Sequence, residues 1–192
     1  MSGAVLLLLI GTQSATAFDN QRSGFVLGFG VGPGLVSYTQ TIDREPQGSM
    51  TSDRQNDFAL MTDFKIGGAP SNHTQVYWIS RVSWFSLDNA LNEKVTIANG
   101  FGGVGVSHFF HPRTPSMYLM FAAGFVTWAT PFESESDTWT GLGVSGGLGY
   151  EFRQHWSVEW TAAWGKPDKS ERDITASTNA LSLRMTFNYT LY

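Results

Sequence analysis

The chain of 192 residues is 42% hydrophobic and only 15% charged, with 21 glycines, seven tryptophans and no cysteine. That length suits one domain or one closed barrel and leaves no room for a large multidomain enzyme, while the lack of cysteine excludes a disulfide framework, a thiolate metal site and a cysteine nucleophile. A formal net charge of −4 offers no basic footprint, so nucleic acid is not an expected partner.

The first residues read as a targeting segment. Ala4–Ile10 (AVLLLLI) is a short apolar core, though with no Lys or Arg before it, and Ser14-Ala15-Thr16-Ala17 supplies the small-residue pattern of a signal-peptidase site. Cleavage is expected after Ala17, which gives a signal peptide over 1–17 and a mature domain over 18–192. No later run reaches the ~18 apolar residues of a membrane helix. Charge well below the roughly 25% of a soluble domain, without a helical span, points to all-β structure, with the membrane as one location.

Behind the leader the hydrophobic pattern has period two, the signature of strands. In the segment 22–40, Phe25, Leu27, Phe29 and Val31 alternate with Val26, Gly28, Gly30 and Gly32. In 57–67, Phe58, Leu60, Phe64 and Ile66 oppose Ala59, Met61, Asp63 and Lys65. In 73–87, Val76, Trp78, Val82 and Trp84 oppose Gln75, Tyr77, Arg81 and Ser83. The segments 94–110 and 116–130 are strand-like in composition, but their two faces do not separate; Gly102, Gly103 and Gly105 are expected to mark a bulge there. In 138–152, Leu142, Val144, Leu148 and Tyr150 oppose Gly141, Gly143, Ser145, Gly149 and Glu151. In 155–165, Trp156, Val158, Trp160 and Trp164 oppose Ser157, Glu159 and Thr161. The last segment is cleanest, with Leu181 through Leu191 alternating against Ser182, Arg184, Thr186, Asn188 and Thr190.

These make eight strands, joined by connections that alternate in length. Long polar stretches at 42–56, 88–93, 131–137 and 166–177 alternate with short ones at 68–72, 111–115 and 153–154. The expected fold is an eight-stranded, antiparallel, up-and-down transmembrane β-barrel with its long loops at one end. Backbone edges are untenable in hydrocarbon, so the sheet must close, and eight strands enclose an interior filled by side chains. The apolar faces then meet lipid. The small and polar faces line the lumen, where Asp63, Glu151 and Glu159 are expected to neutralise Lys65, Arg81 and Arg184 in a structural ion-pair network. By their height on the strands, Tyr38, Trp84, Trp128, Trp139 and Trp164 are assigned to an aromatic belt at the long-loop end, and Trp78, Trp156, Tyr118, Tyr150, Phe152 and Tyr189 to one at the short-turn end.

The leader, the Gly-rich first strand GFVLGFGVGPG (24–34), the repeated Gly-aromatic strands and the ending LSLRMTFNYTLY with terminal Tyr192 together resemble the small outer-membrane β-barrel family. That family includes the opacity-type proteins and the membrane domain of outer-membrane protein A. The resemblance implies a bacterial outer-membrane location, contact with lipid and lipopolysaccharide, dependence on the barrel-assembly machinery during biogenesis, and a monomer.

Candidate chemistry is sparse, and neither a cofactor nor a metal is expected. Gly141-Leu-Gly143-Val-Ser-Gly146 matches a dinucleotide fingerprint, yet it lies within an alternating strand instead of opening a helix. His108 and His111 form a pair without nearby carboxylates. His155-Trp-Ser157 resembles the H-x-S motif of the lipid A deacylase family, with Glu159 on the same face, but steps of ~6.6–7 Å along a strand are too long for direct contact. The long loops are net acidic, with Asp43, Glu45, Asp53, Asp57, Asp88, Glu93, Glu133, Glu135, Asp137, Asp168, Glu171 and Asp173 outnumbering the basic residues there. The expectation is therefore a non-enzymatic barrel with a structural or surface-interaction role. A lipid A-directed acyl hydrolase is the first alternative, and a soluble secreted barrel holding an apolar ligand is the second.

Overall fold

The computed structural model describes residues 21–44, 48–88, 94–133, 138–171 and 174–192. The leader expected over 1–17 and the loop acids Glu45, Glu93, Glu135, Asp137 and Asp173 lie outside the described residues, as do the side chains of Asp88 and Glu171.

The described residues form ten strands in chain order: β1 (Gly24–Arg44), β2 (Gly48–Thr51), β3 (Gln55–Ser71), β4 (Thr74–Asp88), β5 (Lys94–Phe109), β6 (Ser116–Ala129), β7 (Thr138–Arg153), β8 (Trp156–Gly165), β9 (Asp168–Glu171) and β10 (Ile174–Leu191). Eight of them are long and run up and down in the order β1-β3-β4-β5-β6-β7-β8-β10. β10 then pairs antiparallel with β1, from Leu27 opposite Leu191 to Arg44 opposite Ile174, and closes the sheet. Every long strand thus has a partner on both sides, as a strand surrounded by lipid requires.

The two four-residue strands lie in the long polar stretches 42–56 and 166–177, where the sequence predicts loop. β2 pairs with the end of β1, β9 with the start of β10, and both prolong the barrel at its long-loop end. Apart from the exposed Met50 and the glycine of β2, their residues are polar, and most of the described ones are exposed. A ribbon with water on both faces needs no apolar alternation, so its period is invisible in the sequence.

The bulge expected at Gly102–Gly105 does not form. β5 stays in continuous register with β4 and with β6 through those glycines. The register shifts lie at the short-turn end instead, between Gly68 and Ser71 and between Glu151 and Arg153. The glycines serve close approach: a Cβ on Gly103 would lie 2.3 Å from the Ala123 carbonyl oxygen, and one on Gly105 would lie 2.6 Å from the Tyr77 ring.

The structure also separates the faces of β5 and β6. Phe101, Phe109, Tyr118, Met120, Val126 and Trp128 point inward, while Val104, Val106, Leu119, Phe121 and Phe125 point outward. Both faces of these two strands carry large apolar groups, which is why period two could not tell them apart.

Candidate functional site in the barrel interior

The inner wall is built in three levels. At the short-turn end Arg22 ties two turns to the end of β7: its amide donates to Asn72 Oδ1 at 2.8 Å, its guanidinium to the His111 carbonyl at 2.7 Å, and its Nε to Glu151 at 2.7 Å. Phe109 lies beneath the guanidinium at 4.2 Å. Glu151 also accepts from Thr114 at 3.0 Å and from the Tyr192 hydroxyl. Burial, reinforced by that bond, pushes the Tyr192 phenol well above its ordinary range, so it remains a donor. Glu151 therefore belongs to a separate latch with Arg22. The sequence offered no signal for it, because Arg22 precedes the alternating series.

At mid-height the other five predicted charges meet. Asp63 and Arg81 stand directly opposite each other on β3 and β4, with Arg81 Nε 3.6 Å from Asp63 Oδ2. Arg184 donates to Asp63 Oδ1 at 2.8 Å and to Ser83 at 3.0 Å. Across the lumen Lys65 Nζ reaches Glu159 Oε1 at 2.6 Å, and Arg81 reaches Glu159 Oε2 at 3.4 Å. Tyr118 donates to the same Oε1 at 2.7 Å. The glycines of β1 make this crossing sterically feasible. A Cβ on Gly28 would lie 2.6 Å from Lys65 Cγ, and one on Gly30 would lie 2.0 Å from Asn188 Oδ1. Gly149 does the same for the Tyr118 ring, which would sit 2.2 Å from an added Cβ.

The upper level is apolar. Val36, Tyr38, Met61, Phe85, Ile97 and Trp128 form a buried cluster, and Trp139 packs against it. Tyr38 and Trp128 are 2% and 5% exposed, with ring centroids 4.9 Å apart. The belt assignment is therefore corrected at four residues: Tyr38, Trp128 and Trp139 point inward, and so does Tyr118, which is buried against Glu159. Their height was inferred from the strand ends, but the lumen at and above the charged layer must also be filled, and large rings fill it. Trp78 and Trp164 are outward and about half exposed; Trp84 and Trp156 lie on the same outward faces.

The residues that suggested chemistry are engaged structurally. His155 lies in the tight turn before β8 with φ 71°, and its Nδ1 donates to the Thr190 carbonyl at 2.9 Å. The Ser157 hydroxyl lies 3.0 Å from the Tyr118 oxygen and donates to it, since the Tyr118 proton goes to Glu159, and all three of His155, Ser157 and Glu159 are buried in the interior. Gly141, Gly143 and Gly146 stand within β7, where no helix follows to bind a phosphate. His73 and His108 stack at 6.1 Å, while among the described residues no group of three or more metal-ligating side chains occurs.

The outer wall is the reverse of the inner. Phe25, Phe58, Leu60, Val104, Phe121, Phe125 and Leu142 are each more than half exposed. On the outward faces of β3, β4, β7 and β10 the alternation read from sequence and the observed exposure coincide.

No protein-family model and no curated protein sequence matches the chain. Among solved structures it is similar to the outer-membrane protein OprG from Pseudomonas aeruginosa, at 11% identity with a TM-score of 0.51, covering 90% of this chain and 98% of that one. Neisserial surface protein A matches at 12% identity and TM-score 0.44, over 87% and 97% of the two chains. Ail of Yersinia pestis, solved with the heparin analogue sucrose octasulfate, matches at 13% and 0.42, over 86% and 99%. The chain has the all-β, up-and-down fold of the small outer-membrane β-barrels.

Proposed function

We propose that this chain, a barrel of the small outer-membrane type, resides in the bacterial outer membrane as a non-enzymatic, monomeric structural or surface-interaction protein. The observation that carries this reading is the pairing of a closed sheet with an inverted surface: large apolar side chains outside, charges inside. A water-soluble barrel for an apolar ligand needs the opposite arrangement. In lipid the outward residues meet hydrocarbon and each interior carboxylate is paired with a cation.

Lipid and lipopolysaccharide are the partners of the outer wall, and the barrel-assembly machinery is the partner during biogenesis. The lumen is narrow and filled, by the Arg22–Glu151 latch below and the aromatic cluster above, which supports a role other than bulk passage. Surface interaction then falls to the long-loop end, where β1 and β10 extend outward flanked by β2 and β9, with exposed Asp43 on β1, Asp53 between β2 and β3, and Asp168 on β9.

The test is physical. The refolded protein is expected to partition into detergent and to change gel mobility on boiling, because a closed sheet resists mild denaturant. Recovery of a monodisperse monomer without detergent would overturn the membrane assignment.

A further inference from the structure

His73 and His108 stand side by side at the short-turn end. His73 lies in the turn between β3 and β4, and His108 is the last outward residue of β5, below Val104 and Val106. Two bonds hold that turn against the strand end: the Phe109 amide donates to the His73 carbonyl at 2.7 Å, and His73 Nδ1 donates to the Phe109 carbonyl at 2.8 Å. The two imidazole rings have centroids 6.1 Å apart with planes at 23°.

A carbonyl oxygen only accepts, so in the neutral His73 ring the proton is on Nδ1 and Nε2 carries the lone pair. An imidazole whose far nitrogen donates to a backbone carbonyl is oriented as metal-ligating histidines are. Among the described residues no hydrogen bond engages Nε2 of His73 or either ring nitrogen of His108. The spacing also fits a shared ion. With a metal–nitrogen bond of ~2.0–2.1 Å, each ring centroid lies roughly 3.2 Å from the ion, and two rings at about 90–180° around it have centroids ~4.5–6.4 Å apart. The observed 6.1 Å lies inside that range. His73 is fixed by its carbonyl bond, while His108 is exposed and can turn to present a nitrogen.

No Asp or Glu joins the pair, since no group of three ligating side chains occurs among the described residues. Two imidazoles without carboxylate oxygen disfavour magnesium and calcium and suit the late first-row dications. We propose that His73 and His108 form a two-nitrogen binding site for Cu²⁺, Ni²⁺ or Zn²⁺, with water in the remaining positions, which fastens the β3–β4 turn to the end of β5.

The chain carries four histidines, so four single Gln variants of the full, untagged protein cover every imidazole. Each is refolded in detergent and unfolded with urea in nickel, zinc or magnesium chloride at equal ionic strength, which holds general screening constant. For the unmodified barrel the midpoint is expected to rise saturably with nickel and zinc and not with magnesium, as for a ligand that favours the native state. His73→Gln and His108→Gln are each expected to weaken the apparent affinity roughly 10²-fold, because the second donor acts at high effective concentration. His111→Gln and His155→Gln should keep the shift. Electron paramagnetic resonance of the unmodified protein with Cu²⁺ should show coupling to two imidazole nitrogens. Equal midpoints in nickel and magnesium, a copper signal without nitrogen coupling, or a full-size shift in His73→Gln or His108→Gln would leave the rings as interfacial packing and overturn the proposal. A shift lost only with His111 or His155 would move the site elsewhere and overturn it equally.

Discussion

Asp63 is held by Arg184 at 2.8 Å and is only grazed by Arg81 at 3.6 Å, so the two arginines are not equivalent to it. Arg184→Leu leaves Asp63 with its weaker partner in an interior without bulk water. Breaking a buried ion pair in this way costs about 3–5 kcal/mol, and urea unfolding of the refolded variant measures it. Lys94→Leu changes a charge at the exposed start of β5 and is expected to shift the midpoint far less. Equal shifts for the two variants would remove the network from the account of stability. Gly149 gives a steric test of the same level. With a side chain at that position Tyr118 must leave Glu159, so Gly149→Val is expected to destabilise by about 1–3 kcal/mol through overpacking. Loss of the native near-ultraviolet signal of the Tyr118 environment should accompany it, whereas an unchanged midpoint would mean that the wall yields there.

At the level of whole strands, β1 does two jobs with one alternation. Its lower inward positions are Gly28 and Gly30, which leave space for Lys65 and Asn188; its upper ones are Val36 and Tyr38, which fill space. The lumen therefore changes from polar to aromatic along one strand. Tryptophans at similar heights then differ sharply in consequence. Trp128→Ala opens a cavity against Tyr38 and Phe85 and is expected to cost about 3–5 kcal/mol. Trp164→Ala removes a half-exposed ring from the outward face of β8 and should cost markedly less in detergent. Comparable losses would return Trp128 to the belt.

For the molecule as a whole, closure decides which chemistry is accessible. His155, Ser157 and Glu159 share the inner face of β8 and its preceding turn, and each is bonded to a structural partner: the Thr190 carbonyl, Tyr118 and Lys65. An acyl chain in the surrounding membrane meets the outer wall, where Trp156, Val158 and Trp160 of the same strand stand. No fatty acid release from lipid A is expected of the purified barrel. Release that disappeared in Ser157→Ala, with the heat-dependent gel shift retained, would overturn the non-enzymatic assignment.

Strand positions, their number in the membrane and the outward face of most of them were determined by the sequence alone. The reason is that lipid on one side and a narrow lumen on the other impose opposite demands on successive residues, and period two records that difference directly. The same logic identified six charged residues as lumenal. Tertiary structure decided what alternation cannot encode. It split Glu151 away to Arg22, which lies outside any strand, and it turned Tyr38, Trp128 and Trp139 inward. It also added β2 and β9, whose two wet faces carry no contrast to read. Partners across a lumen depend on register, strand stagger and the glycines that let side chains cross, and none of these is a property of one strand taken by itself.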